Sequence, residues 1–369
     1  MDRNDDIDGP DGQPVDPASP DRSSVPSAAQ SLGATPGRRE ARRYWDCAAD
    51  EAARIGIIFN PKSHGNRKRS HETALAHADR DNIALVSPVD RDDIRQVLRE
   101  FAEQGIDYLI VDGGDGTVRD VLTAGMPVFE ERWPALAVLP RGKTNALTDD
   151  LGIPEDWTVA DAVSALENGF EAERRPLIIA RRDGMRSPVA GFIMGAGSFT
   201  TGVRVAQDAH RLGAFGGLAV ALTAVWGALQ TIFGTNRNDW RRGVAIDIRL
   251  QPGDLPLVHS GQGEHSRRSI MLASTLWSMP LGLAVFGKRR PGLKLAVIDR
   301  PRRLIWAIMP ALLRGWEPGW LGSWGYHRVD SEGFDIALDD EFILDGEIFP
   351  AGSYRVEQGP PLRFQTPAP

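Results

Sequence analysis

The sequence predicts a doubly wound, parallel-sheet α/β domain followed by a mainly β, sandwich-like domain, and three observations predict it. From Arg54 onward, short apolar runs alternate with amphipathic stretches, the pattern of parallel strands joined by crossover helices. After Arg174-Arg175-Pro176 the helical periodicity gives way to closely spaced β-like runs. The length of 369 residues favours two cores over one.

In chain order, residues 1–52 are rich in Asp, Pro, Ser and Gly, hold little apolar surface to offset the entropy of ordering, and read as a disordered tail. Its basic run from Arg38 to Trp45 reads as solvated charge, with contact to anionic lipid headgroups as the alternative. The first domain is expected over 53–175. Its strands fall at Ile55–Phe59, Ile83–Val86, 108–111 and 136–139, and its helices at 89–104, 117–125 and 156–168. Such a sheet binds ligands beyond the carboxyl ends of its strands. The second domain is expected over 176–369. It opens with a hairpin, 177–180 and 189–194 around Asp183-Gly184, and continues with strands at 244–250, 269–276, 293–298, 334–338 and 341–344.

Composition narrows the function. The net charge of −7 argues against a general nucleic-acid binder, so any anion site must be local. Cys47 is the single cysteine, which excludes an intrachain disulfide, and no Cys/His spacing resembles a zinc site. The opening Met1-Asp2-Arg3-Asn4-Asp5-Asp6 lacks the charge and apolar pattern of a secretory leader, so a cytoplasmic location is expected. No charge occurs over 212–236, but the glycines at 213, 216, 217 and 227 favour a packed or surface-docked helix over a membrane span. Over 302–324, Trp306, Trp316, Trp320 and Trp324 stand among arginines, which suits either a membrane interface or a helix packed on the β domain.

Three loops carry the chemistry. Gly113-Gly114-Asp115-Gly116-Thr117 follows an expected strand and opens an expected helix. Its glycines let the backbone approach a ligand, and amides at the helix start favour phosphate. Asp115 would repel phosphates unless it meets a cation or accepts a proton, so magnesium or a substrate hydroxyl resolves the conflict. The strand Ile55–Phe59 runs into Asn60-Pro61-Lys62-Ser63-His64-Gly65-Asn66, and the strand at 136–139 runs into Pro140-Arg141-Gly142-Lys143-Thr144-Asn145. Both loops combine glycine, hydroxyl and basic groups, and a parallel sheet brings all three loops to one crevice.

These loops together resemble those of the diacylglycerol kinase catalytic-domain family, which includes sphingosine and ceramide kinases and bacterial soluble lipid kinases. The resemblance runs from about Arg54 to the end of the sequence. It is extended by MGAGSFTTGV at 194–203 and by Leu344-Asp345-Gly346-Glu347, similar to a late Asp-Gly-Glu motif. It implies an N-terminal nucleotide-binding α/β domain, a C-terminal β-sandwich and an active site between them. By that resemblance, ATP and magnesium are the cofactors, and the nucleotide meets Asn60, Pro61, Lys62 and Ser63, then Gly113, Gly114, Gly116 and Thr117, then Gly142, Lys143, Thr144 and Asn145. Asp115 and Glu347 are the expected catalytic pair, one a general base and the other a magnesium holder, with the assignment open. Asp345 is expected beside them as a further metal ligand. The implied reaction is transfer of the γ-phosphoryl group to a lipid alcohol such as diacylglycerol, with peripheral contact at the inner membrane face.

Two departures stand out. Where the family commonly has Gly-Thr-x-Asn-Asp, this chain has Gly142-Lys143-Thr144-Asn145-Ala146, so an ammonium replaces a hydroxyl and Asp149 or Asp150 would have to supply any missing carboxylate. Arg290-Pro291-Gly292 stands where some members carry an acidic pair for structural magnesium, and no metal is expected there. Two further readings follow from the same residues. A NAD kinase or phosphofructokinase-like enzyme shares the GGDG-type loop, although the late Asp-Gly-Glu motif favours the lipid group. Lys143 and Ala146 motivate a catalytically weak, lipid-binding or regulatory member.

Overall fold

Strand β1 (Ile55–Phe59) is buried at every position, as expected of a strand covered on both faces. The computed structural model describes residues 52–67, 81–198, 200, 243–261, 263–300 and 303–367. The tail up to residue 51, the uncharged segment 212–236 and the Trp306 side chain lie outside the described residues. Strand β2 (Ile83–Val86) leads to helix α1 (Arg91–Glu103), capped by Asp90, whose carboxylate accepts the Asp93 amide. Helix α1 buries Ile94, Val97, Leu98 and Phe101, the i, i+3, i+4, i+7 stripe of an amphipathic helix. Strand β3 (Tyr108–Gly113) and helix α2 (Asp115–Phe129) follow, then strand β4 (Ala135–Pro140) and the short helix α3 (Ala146–Leu151). Helix α4 (Val159–Asn168), closed by a Thr158–Asp161 capping box, leads into strand β5 (Phe170–Arg174).

The first sheet has the order β2-β1-β3-β4, all parallel, and is continued by the last strand of the chain and then by β5. The parallel, doubly wound arrangement is therefore present, with one addition.

The remaining strands are β6 (Leu177–Arg181), β7 (Val189–Gly191), β8 (Ile193–Gly197), β9 (Val244–Gln251), β10 (Ile270–Ser274) and β11 (Leu293–Ile298). Helix α5 (Arg303–Leu312) comes next. It is followed by β12 (Tyr326–Ser331), β13 (Gly333–Leu338), β14 (Phe342–Leu344), β15 (Glu347–Phe349), β16 (Gly352–Gln358) and β17 (Leu362–Thr366). All but β17 form two antiparallel sheets, β9-β13-β16-β6-β7, with the two-residue strands Leu255–Pro256 and Arg267–Arg268 paired to β9, and β12-β11-β10-β8-β14-β15. A shared core of residues from both, including Leu177, Ile248, Met271, Leu295, Phe334 and Phe342, makes this a sandwich.

Two expectations are corrected. The run at 189–194 is not one strand: the chain leaves one sheet at Gly191 and enters the other at Ile193, so it divides at Phe192. The second domain does not extend unbroken to residue 369, because β17 returns to the first sheet, parallel to β4 and antiparallel to β5. Leu362 and Phe364 are fully buried there, in the first domain's core. The hairpin turn at Asp183-Gly184 is present, with Gly184 at φ +67° and the Asp183 carboxylate accepting the Met185 amide.

A candidate phosphoryl-transfer site

The three glycine-bearing loops meet at the carboxyl edge of the parallel sheet. A Cβ on Gly114 would lie 2.6 Å from the Cα of Gly142, so the second and third loops touch backbone to backbone, and only glycine fits there. The first loop is knitted to the second: Asn60 Nδ2 donates to Thr117 Oγ1 at 2.7 Å and the Gly114 amide donates to Ser63 Oγ at 3.2 Å. It is knitted to the third by the Gly65 amide, which donates to the Arg141 carbonyl at 3.1 Å. Beneath them Asp112 is buried against Asn66 and Arg141.

Asp115 sits at this junction. Its two carboxylate oxygens accept the amides of Asn145 and Ala146, each at 2.9 Å, so it also caps the start of α3. Asn145 holds a left-handed conformation, φ +53°, which asparagine tolerates and which turns both amides toward Asp115. Burial pushes the Asp115 carboxyl above the usual carboxylate range; the two amides oppose that shift and the nearby Asp149 charge adds to it.

Beside the loops lies a cavity of about 220 Å³ at the carboxyl ends of β1 and β2. Asn60, Pro61, Lys62 and Thr117 line it, with residues 87–90, Arg91 and Asp120 on the far wall. Ser63, Gly113 and Thr117 are buried in the loop framework, Gly116 is partly exposed, and Lys62, Lys143 and Thr144 are exposed to solvent. The expected residues thus divide. Asn60, Ser63, Gly114, Thr117, Gly142 and Asn145 build the junction, Pro61 and Lys62 face the cavity, and Lys143 and Thr144 project from the rim without lining it.

From the other half of the molecule, Asp345 and Gly346 form a tight hairpin turn between β14 and β15, both with positive φ (+45° and +82°). Glu347 then reaches the same helix as Asp115. Its carboxylate pairs with Arg119 Nη2 at 2.5 Å and with Arg91, and both arginines also contact Asp120. The Arg119 guanidinium further donates to the carbonyls of Leu344 and Asp345. Asp345 is partly exposed at the turn, but its carboxylate points inward and accepts the amides of Phe192 and Ile193, both at 2.9 Å. Burial pushes it up to about 7; those amides pull it down, and the Asp115 charge pushes it further up.

Of the expected metal set of Asp115, Asp345 and Glu347, two members have other partners in this geometry. Among the described residues no three His, Cys, Asp or Glu side chains group as a metal cage. Glu347 is taken by two arginines, and Asp345 fastens the point where the chain changes sheets. The geometry does fit a magnesium that arrives on phosphates, because such an ion keeps several waters and needs only one or two carboxylates. Asp115, partly exposed where the loops meet, is the carboxylate such an ion would meet. Of the two carboxylates that might replace the one absent at Ala146, Asp150 is buried against Arg174 and Ser278, and Asp149 is exposed.

Sequence reasoning missed Arg91, Arg119, Asp120 and the loop at 87–90. Arg119 carried a readable signal, since it lies one helical turn after Asp115 and its neighbours Val118, Val121 and Leu122 are apolar. The loop at 87–90 also sits at a strand's carboxyl end, but it has no glycine to mark it.

Comparison with known proteins agrees with this geometry. Residues 54–177 match the model of the diacylglycerol kinase catalytic domain. That stretch is similar to the diacylglycerol kinase catalytic domain. The match covers both glycine loops that meet at Asp115 and stops where the sandwich begins. Among the proteins this chain resembles is a probable lipid kinase YegS-like protein of Cronobacter sakazakii, 28% identical over 214 residues, or 57% of this chain and 66% of the relative. A probable lipid kinase YegS of Salmonella heidelberg is 28% identical over 117 residues, 32% of this chain and 39% of the relative. The matched stretches span less than two thirds of each curated relative's length. A diacylglycerol kinase of Bacillus anthracis has a similar fold, with a TM-score of 0.56 at 17% identity, covering 84% of this chain and 96% of that one. At that identity the likeness concerns the kinase fold alone.

Proposed function

We propose that this chain transfers the γ-phosphoryl group of ATP to the hydroxyl of a lipid alcohol such as diacylglycerol. The observation that carries the reading is Asp115: a carboxylate with a raised proton affinity, held by two amides where three glycine-bearing loops of one parallel sheet meet. Phosphoryl transfer needs positioning and charge compensation more than covalent chemistry, and convergent loops at a sheet edge supply positioning.

In this reading the base of the nucleotide enters the cavity beside Asn60 and Lys62, and the triphosphate runs over Gly114 and Gly142 toward Asp115. Magnesium bound on the phosphates would be held by Asp115 and would offset the charge developing on the transferred group. With magnesium held by the phosphates alone, the Asp115 carboxylate would instead take up the acceptor's proton, for which its raised proton affinity suits it. Lys62 and Lys143 add positive charge at the rim. Arg119 and Arg91 hold Glu347 in reach of the site from the second domain, which fits a positioning role better than a metal-binding one.

That same pairing favours a second reading, in which the chain binds nucleotide and lipid but turns over weakly. The two separate in one experiment, transfer of label from ATP to a total lipid extract in mixed micelles, with Asp115→Asn as control. The kinase reading expects a labelled lipid whose formation falls by about 10²–10⁴-fold in the variant. Nucleotide binding with no labelled lipid across a panel of alcohols would support the second reading instead.

A further inference from the structure

Between residues 277 and 316 this acidic protein inverts its charge. That stretch holds eight Lys and Arg against a single acid, Asp299, in a chain of net charge −7. Asp299 is fully buried, so it does not face solvent. The stretch begins with eleven uncharged residues, 277–287, followed at once by Lys288-Arg289-Arg290. The apolar loop is exposed at its tip: Leu281 is 89% accessible and holds φ +61°, a conformation that strains a leucine. A leucine has no folding reason to occupy the most solvated point of a turn where glycine or asparagine would fit without strain.

Helix α5 packs beside that loop. The Ala284 amide donates to the Leu313 carbonyl just beyond the helix, and Arg328 ties Ala284 and Leu312 through their carbonyls. From Leu304 to Leu313 the helix and its end carry no charge, yet Leu304, Ala307, Pro310 and Ala311 are exposed at helical spacing on one face. An all-apolar helix belongs in a core or against another apolar phase. Lys288, Arg289 and Arg314 are exposed around it; of the acids nearby, Glu317 pairs with Arg328 and Asp330 with Arg290, while Asp149, Glu171 and Glu173 line a cavity with Arg289.

We propose that this surface docks the chain on an anionic lipid bilayer, with Leu281 and the exposed face of α5 entering the headgroup boundary and Lys288, Arg289 and Arg314 meeting lipid phosphates. The inference deepens the lipid-kinase reading and rests on it for the reason to dock. Trp316 meets Trp320 edge-on and Trp320 is tilted against Trp324, and Trp316 and Trp320 keep exposed surface beside this face. The docked loop is joined to the site. The amide and hydroxyl of Ser278 both donate to Asp150, in the same short helix α3 whose first amides hold Asp115. A lipid acceptor would therefore enter one helix length from the reacting carboxylate.

The test is co-sedimentation of the full chain with phosphatidylcholine vesicles, with and without phosphatidylglycerol. Binding is expected to the mixed vesicles and to weaken in high salt. Leu281→Asp should lower partitioning about tenfold or more, since aspartate tolerates the positive φ but not the acyl boundary. Each of Lys288→Ala and Arg289→Ala should lower it about fivefold. Thermal unfolding of Leu281→Asp should match the parent, as should its transfer to a short-chain, water-soluble acceptor. Equal sedimentation of Leu281→Asp and parent would overturn the proposal. So would absence of binding to either vesicle, or a dimer in solution that Leu281→Asp dissociates without any vesicle binding. Failure of the parent to phosphorylate the soluble acceptor would instead count against the kinase reading and leave a positive vesicle result standing.

Discussion

Asp345 shows how a motif residue can serve the fold. Its carboxyl is held near neutrality by burial, with a proton affinity raised to about 7. A carboxyl raised above its unfolded value of roughly 3.9 stabilises the fold fully at pH below that value, and the contribution is lost as pH rises through 7. The loss is on the order of a few kcal/mol between about pH 4 and 8. In Asp345→Asn the side chain is neutral throughout, so urea unfolding should show the parent losing stability relative to the variant over that window. Parallel pH curves would refute the assignment. From sequence, the place of Asp115 at the loop junction was legible because it lies among three glycines between an apolar strand and a helix. The use of Asp345 was not, because the amides it accepts lie some 150 residues earlier and only the sheet crossing at Phe192 brings them near.

At the scale of elements, the parallel strands and helices of the first domain were readable because both periodicities, continuous apolar runs and the 3.6-residue stripe, were strong there. The helix α3 was not, since its six residues are too few to show a period and its start is fixed by Asp115 from another loop. Strand β17 was also hidden. Leu362-Arg363-Phe364-Gln365-Thr366 alternates as a strand should, but nothing local says which sheet receives it. Its placement makes the first domain depend on the chain's end. Phe364 is fully buried in the first core and meets Phe192 edge-on at 6.5 Å. Phe364→Ala should cost about 3–5 kcal/mol in urea unfolding. A cost below roughly 1 kcal/mol would mean that the strand is dispensable.

At the scale of the whole molecule, helix α2 is the hinge of the argument. Its first turn presents Asp115 to the third loop, its second binds Glu347 through Arg119, and Thr123 exchanges hydrogen bonds with Ala190 of the second domain. The sandwich is thereby fastened to the helix that follows the second glycine-bearing loop, and no separate hinge segment is needed to bring the two halves together. Among the described residues no helix is long and apolar enough to cross a membrane. The account stands on the claim that a triphosphate lies across the contact between the second and third loops. Calorimetric titration with ATP and magnesium tests it most directly, comparing the parent with Gly114→Ala, whose added Cβ would press on Gly142 at 2.6 Å and part the loops. The account predicts saturable binding by the parent and affinity at least about tenfold weaker in the folded variant, a loss of roughly 1.4 kcal/mol. Equal affinity in the two proteins, or no binding by the parent, would contradict it.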